Sequence, residues 1–166
     1  GGCDPMIILR RLVAHASEDV GMADPNALVV ATSAMYAFEK MGAPEGLIPM
    51  SNAIIYVCEA EKSNSVIIAM DGAKCAAKEI RDDNIPPYLM DNTFGDAATK
   101  AQSKNYKYPH NYGGYVRQQY LPDSLKDEVF YRPQGRGYEK TVAETRKRKG
   151  MRDDTLFSPP EDRPHP

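Results

Sequence analysis

The sequence predicts an all-α protein, an antiparallel helical bundle followed by a long, ordered, tyrosine-rich loop region. Three observations carry that reading. Apolar residues in the first 82 positions recur at helical spacing. Two Asp-Pro pairs, Asp4-Pro5 and Asp24-Pro25, place an N-cap acceptor before a proline whose missing N–H costs nothing at a first helical position. The connections between the helical runs are short, which favours antiparallel neighbours.

Each element follows from its own signals. Asp4-Pro5 opens a helix to about Val20, with Ile8, Leu9, Leu12, Val13, Ala16 and Val20 on one side and Gly21 as its stop. Asp24-Pro25 opens a second, to Met41, stopped by Gly42. Ten of the twelve residues Ala27–Phe38 are apolar, so this helix is greasy nearly all round and belongs at a bundle centre or in a subunit interface. Pro44 and Pro49 mark the start of a third helix, from about Ile48 to Ala60, and Ser63 caps a fourth that reaches about Arg81. Asn84-Ile85-Pro86-Pro87 breaks the pattern, and a short amphipathic helix is expected from about Leu89 to Gln102. Through 103–137, the punctuation of Pro109, Gly113, Gly114, Pro122, Pro133, Gly135 and Gly137 predicts a loop pinned by buried tyrosine rings with bonded hydroxyls. Pro122-Asp123 can start one helical turn. A last helix is expected from about Tyr138 to Lys149, where Arg146-Lys147-Arg148-Lys149 suit the C-terminal dipole. Residues 1–149 thus read as one helical domain containing the loop-rich part 83–137, with 150–166 as a flexible tail.

Composition narrows the function classes. A chain of 166 residues can bury about 69% of its unfolded surface, enough for one core. No apolar run approaches the length of a membrane span, no secretory leader is legible, and three cysteines (Cys3, Cys58, Cys75) show neither disulfide nor zinc spacing. These features describe a reduced, intracellular, soluble protein. The formal charge of −2 conceals a division: residues 1–99 carry −7, residues 100–152 carry +8, and the rest −3. Seven of the ten tyrosines lie in the basic piece. An anionic partner responds to that local field and not to the net charge.

Motifs for chemistry are missing from the sequence. No phosphate-binding glycine loop, nucleophile elbow or H-E-x-x-H occurs, and Gly135-Arg136-Gly137 is too short to serve. His15 stands four residues before Asp19, a spacing for a surface ion pair. His110 reads as a hydrogen-bonding loop residue, and Glu18-Asp19 point different ways on a helix. Cys58 and Cys75 fall in apolar runs where thiols pack as small hydrophobes. Catalytic, cofactor-binding and metal-ligating residues are therefore not assigned. Lys104-Asn105-Tyr106-Lys107-Tyr108-Pro109-His110 interleaves cations with rings, as nucleic-acid binders do. The same segment also reads as a loop glued down by tyrosines and solvated by lysines. Arg146–Lys149 reads as a solvated helix end.

A set of short motifs is more specific than the periodicity. The chain opens Gly1-Gly2-Cys3-Asp4-Pro5, followed by Arg10-Arg11-Leu12-Val13, Ala16-Ser17-Glu18-Asp19-Val20-Gly21 and Ala23-Asp24-Pro25-Asn26-Ala27. Later come Ala43-Pro44-Glu45-Gly46, Lys62-Ser63-Asn64-Ser65, Tyr106-Lys107-Tyr108-Pro109-His110, Gln118-Gln119-Tyr120-Leu121-Pro122 and Phe130-Tyr131-Arg132-Pro133. In this order, over residues 1 to about 149, they closely resemble the C-terminal domain of the replication-associated recombination protein A (RarA, also MgsA) family, relatives of the Werner helicase-interacting protein.

The resemblance implies a clamp-loader-like AAA+ ATPase parent acting in DNA replication, recombination and repair at stalled forks. It implies a helical fold like the clamp-loader collar and assembly into a homotetramer through this region. The chain then corresponds to the part following the ATPase lid, with ATP and Mg expected only in an N-terminal module and no cofactor here. Implied partners are the chain itself, DNA (forks or ends), single-stranded DNA-binding protein and the ATPase module, with no membrane, in the cytoplasm at the nucleoid. The helix apolar all round fits such assembly, and Leu28, Val29, Met35, Tyr36 and Phe38 are the candidate oligomer contacts. The competing reading is a DNA-binding module using the basic segment 100–149, with Lys104, Lys107, Arg117 and Arg132 foremost and Arg136, Arg146 and Lys147 as further candidate contacts. An enzyme in its own right is the least supported reading.

Overall fold

A computed structural model describes residues 2–80, 85–89 and 105–151. Among them it is all helical, with five α-helices and no strand. These are α1 (Pro5–His15), α2 (Asn26–Met41), α3 (Leu47–Glu59), α4 (Ser65–Glu79) and α5 (Glu139–Arg148), with single 3₁₀ turns at Gly21–Ala23 before α2 and at Pro87–Leu89, Pro109–Tyr112 and Asp123–Leu125 between α4 and α5. Residues 2–72 with 130–151 belong to one compact unit and 73–129 to a second, the division falling within α4. The helix expected from Leu89 to Gln102 and the tail beyond 151 lie outside the described residues.

The two Asp-Pro starts act as the sequence predicts. Asp4 Oδ1 accepts from Met6 N at 2.9 Å, and Asp24 Oδ1 accepts from Asn26 N at 3.0 Å. Asp24 does a second job. Its Oδ2 accepts the Tyr56 hydroxyl at 2.8 Å, tying the start of α2 to the last turn of α3. That hydrogen bond to a carboxylate pushes the Tyr56 phenol above its ordinary range. The first helix departs from expectation: α1 stops at His15, and Ala16–Val20 continues as a wider π turn, with Gly21 N donating to Ala16 O. The widening presents Asp19 O to Ser63 N at 2.7 Å, so the turn is fastened to the linker between α3 and α4.

The core lies between α1, α2 and α3. Leu9, Leu12, Ala16 and Val20 meet Ala27, Ala31 and Ala34 of α2 and Met50, Ala53 and Val57 of α3. Ala27, Ala31 and Ala34 share one face at the i, i+4, i+7 spacing. Three methyl groups contribute only about 0.8 kcal/mol each, so the larger side chains of α1 and α3 supply most of the burial energy. The small face lets the neighbouring helices come close. Of α4, only Ser65 is buried.

The C-terminal segment is anchored by polar contacts. Glu139, first residue of α5, is fully buried. Its Oε1 accepts from Ser65 Oγ at 2.5 Å and from the Tyr131 hydroxyl at 3.2 Å, and its Oε2 accepts from Gln134 N at 2.8 Å. Three donors and the positive end of α5 together offset the desolvation of this carboxylate. Arg146, from the last turn of the same helix, donates to Tyr131 O at 3.1 Å and lies 4.8 Å from the centre of the Tyr131 ring. Just before α5, Tyr138 N donates to Ala23 O at 2.7 Å. This approach requires Gly137: its φ is +49°, and a Cβ there would stand 2.1 Å from Ala23 O.

Two sequence expectations need correction. Cys58 and Cys75 are exposed, as is Cys3. Cys58 follows the buried Val57 by one position, a 100° turn that carries it out of the core, and Cys75 belongs to a helix that buries almost nothing. The tyrosine rings expected to pin the loop are mostly exposed too: Tyr106, Tyr108, Tyr112, Tyr120 and Tyr138 face solvent, while Tyr131 is half-buried. Backbone turns and the Gln118 and Gln119 amides hold much of that loop, together with the Tyr88 hydroxyl on Gln119 O and the Tyr131 hydroxyl on Glu139.

Two outcomes test this account. Gly137→Ala must displace Ala23 or the α5 junction and should destabilise the fold by about 2–3 kcal/mol, read from urea unfolding. Burial, then the charge of Glu139 and its hydrogen bond, push the Tyr131 phenol up to about 12. A raised phenol favours the neutral folded form, so its contribution is complete below pH 10 and is lost as pH rises toward 12. Stability measured across that interval should fall less steeply in Tyr131→Phe than in the parent chain.

Candidate assembly and nucleic-acid surfaces

The five residues expected at an oligomer contact divide by helical phase. Met35 and Phe38 are half-buried and pack against the core. Leu28, Val29 and Tyr36 are exposed, Val29 at 59% and Tyr36 at 62%. The reason is angular: Val29 and Tyr36 are seven residues apart and lie half a turn from the Ala27–Ala31–Ala34 face. Lys40 Nζ stands 5.1 Å from the Tyr36 ring centre, so a cation covers part of that face. The third helix repeats the arrangement. Met50, Ala53 and Val57 turn inward while Ile48 (72%) and Ile55 (63%) face out. Ile7 and Ile8 on α1, and Ile68 and Met70 on α4, are exposed as well. The apolar excess on α2 foreseen in the sequence is therefore outward-facing, and the sequence reading missed its counterpart on α3.

The basic candidates fall into two groups. Lys107 and Arg117 are exposed in the second unit, and Lys104 lies outside the described residues. Lys107 is fixed through its backbone: Gln118 Oε1 accepts from its N at 3.1 Å, and Gln118 Nε2 donates to its O at 2.8 Å. In the first unit, Arg132, Arg136 and Lys147 are exposed, whereas Arg146 is half-buried against Tyr131. Arg136 Nη1 donates to Lys62 O at 3.2 Å.

An open polar recess of about 580 Å³ that the sequence did not signal is lined by Asp19, Lys62, Ser63, Asn64, Gln134 and Arg136. Its polar groups hold the protein together. Lys62 Nζ donates to carbonyls at the end of α3, Val57 O at 2.8 Å among them, and Gln134 Nε2 donates to Asn64 Oδ1 at 2.6 Å. Nearby, the His15–Asp19 pair forms across one turn with both side chains half exposed, as its spacing predicts. Among the described residues, no group of His, Cys, Asp and Glu side chains could hold a metal ion, and no helix is long and apolar enough to cross a membrane. What these surfaces expose is apolar side chains on α2 and α3 and, in the loop, cations interleaved with rings.

Comparison with known proteins agrees with this architecture. Residues 1–149 match the family described as MgsA AAA+ ATPase C terminal. The chain is 41% identical over 131 residues to the replication-associated recombination protein A of Bacillus subtilis, covering 78% of this chain and 31% of that protein. It is 40% identical over 145 residues to the protein of the same name from Haemophilus influenzae, covering 86% and 32%. It is 31% identical over 132 residues to the ATPase WRNIP1 of Dictyostelium discoideum, covering 78% and 15%. The chain thus spans about a third or less of the length of these curated relatives. By its sequence match and its all-helical fold, the chain belongs to the MgsA C-terminal family of AAA+ ATPases.

Proposed function

We propose that this chain is an assembly module: the homotetramerisation domain of a clamp-loader-like AAA+ ATPase that acts in replication-associated recombination and at stalled forks. The observation that carries the reading is the inversion of α2, which buries alanines and presents Leu28, Val29 and Tyr36. Large apolar side chains exposed on the outer faces of two helices are the kind of surface that an interface between copies covers. Covering each would contribute on the order of 1–2 kcal/mol, against an association cost of at least about 4 kcal/mol. Several such residues on α2 and α3 together therefore reach what one alone does not. The names of the relatives, which span about three times the length of this chain, support placing the module in a replication and recombination ATPase. In that arrangement ATP and Mg²⁺ are handled by an N-terminal module, and this domain gathers those modules into one array. DNA and single-stranded DNA-binding protein are the partners proposed for the assembly, in the cytoplasm at the nucleoid.

Light scattering at micromolar concentration should give the mass of a tetramer. Val29→Lys with Tyr36→Lys should shift that mass to the monomer while leaving helical circular dichroism unchanged, because both side chains are outside the core. A monomeric parent chain would end this reading.

A second reading, a nucleic-acid-binding module in segment 100–149, draws on the exposure of Lys107, Arg117, Arg132, Arg136 and Lys147. It expects binding of labelled forked DNA to weaken steeply with added salt, and to weaken further when Lys104 and Lys107 become alanine. Absent or salt-insensitive binding in an anisotropy titration would remove it.

A further inference from the structure

Residues 105–122 bring together features that the assembly role does not use. Tyr106, Tyr108, Tyr112 and Tyr120 are all exposed, Tyr108 and Tyr112 by more than half. The Tyr108 and His110 rings lie 5.0 Å apart between centres, tilted by 46°. The backbone beneath them is fixed. Pro109–Tyr112 form a 3₁₀ turn, closed by Gly114 N donating to Pro109 O at 2.9 Å and Asn111 N donating to Tyr108 O at 3.0 Å. The Gln118 amide pairs with both backbone groups of Lys107 and also donates to the Tyr120 hydroxyl at 2.8 Å, so one side chain ties the two ends of the loop together. The stretch contains Lys107 and Arg117 and not one carboxylate; acidic residues resume at Asp123.

The geometry points to a stacking platform for single-stranded nucleic acid, with bases on the rings of Tyr108 and Tyr112 and phosphates on Lys107 and Arg117. This inference rests on the nucleic-acid reading above and narrows it, since a cationic surface alone accepts duplex as readily as single strand. Exposed rings select the single strand because only unpaired bases offer free π faces, whereas a duplex presents phosphates and groove edges. Tyrosine loses little rotamer freedom on binding, and a backbone already fixed by Gln118 and the 3₁₀ turn lowers the ordering cost further. An anionic chain is favoured over a hydrophobic protein surface by the interleaved cations and the lack of carboxylates.

The test uses the whole 166-residue chain with a fluorescently labelled oligothymidylate of about 16 nucleotides and a duplex of equal length, in low salt. Single strand should bind more tightly than duplex, and tyrosine emission, unobscured because the chain has no tryptophan, should be quenched on binding. Tyr108→Ala and Tyr112→Ala should each weaken single-strand binding about tenfold, while Tyr108→Phe, which keeps the ring, should bind as the parent does. Lys107→Ala should lower the slope of log affinity against log salt by about 0.7. Circular dichroism of each variant checks that the fold is retained. Equal affinity for the two DNAs with neutral tyrosine variants would overturn the platform while leaving a cationic DNA surface standing. No binding to either DNA would overturn both readings.

Discussion

The arrangement of this domain depends on the alanine face of α2. Ala27, Ala31 and Ala34 occupy the side of the helix that meets α1 and α3. Small side chains permit close approach of the helices, and close packing is what makes dispersion contacts add up. Once that face is inward, the helical period leaves no freedom for the rest. Val29 and Tyr36, half a turn away, must point out, and the apolar composition of the helix becomes a surface property. The packing of one copy thus sets which apolar side chains α2 leaves on its surface.

The C-terminal segment is joined to this core by a different kind of interaction. A buried carboxylate is costly unless its oxygens are satisfied, and Glu139 is satisfied from three separate places: Ser65, Tyr131 and Gln134. These donors are directional, so they fix where α5 begins in a way that apolar burial would not. The close passage of Gly137 beneath Ala23 O completes the joint. Arg146 illustrates how such a joint changes the reading of a charge. In sequence it belongs to a run of four cations at a helix end. In the structure its guanidinium is occupied by the Tyr131 carbonyl and ring, while Lys147 beside it is exposed.

The loop over residues 105–122 follows a third rule. Its shape is set by backbone turns and by the Gln118 amide, which leaves the Tyr106, Tyr108 and Tyr112 rings exposed. Rings that do not pin a loop are available to a partner. Along the sequence, the charge changes sign between residues 1–99, which are acidic, and 100–152, which are basic.

Much of this was legible in the residues alone. Local rules fix local structure, so Asp4-Pro5 and Asp24-Pro25 located two helix starts, Gly42 a stop, Pro122-Asp123 a single turn, and His15 with Asp19 a surface pair. The ordered motifs carry the family resemblance on their own. What the chain could not disclose by itself concerns direction and partnership across long separations. Whether Cys58 is inside or outside turns on 100° of helical phase, which depends on which neighbour α3 meets. Whether Tyr108 is buried or exposed depends on how the loop folds back, with Gln118 held against Lys107, eleven residues away in sequence. Glu139 gave no sign of burial because its donors come from position 65 as well as from 131 and 134, and a carboxylate is read as a surface group until those donors converge. Tertiary structure decides such matters because burial and hydrogen bonding are properties of the assembled surroundings, and no residue carries them alone.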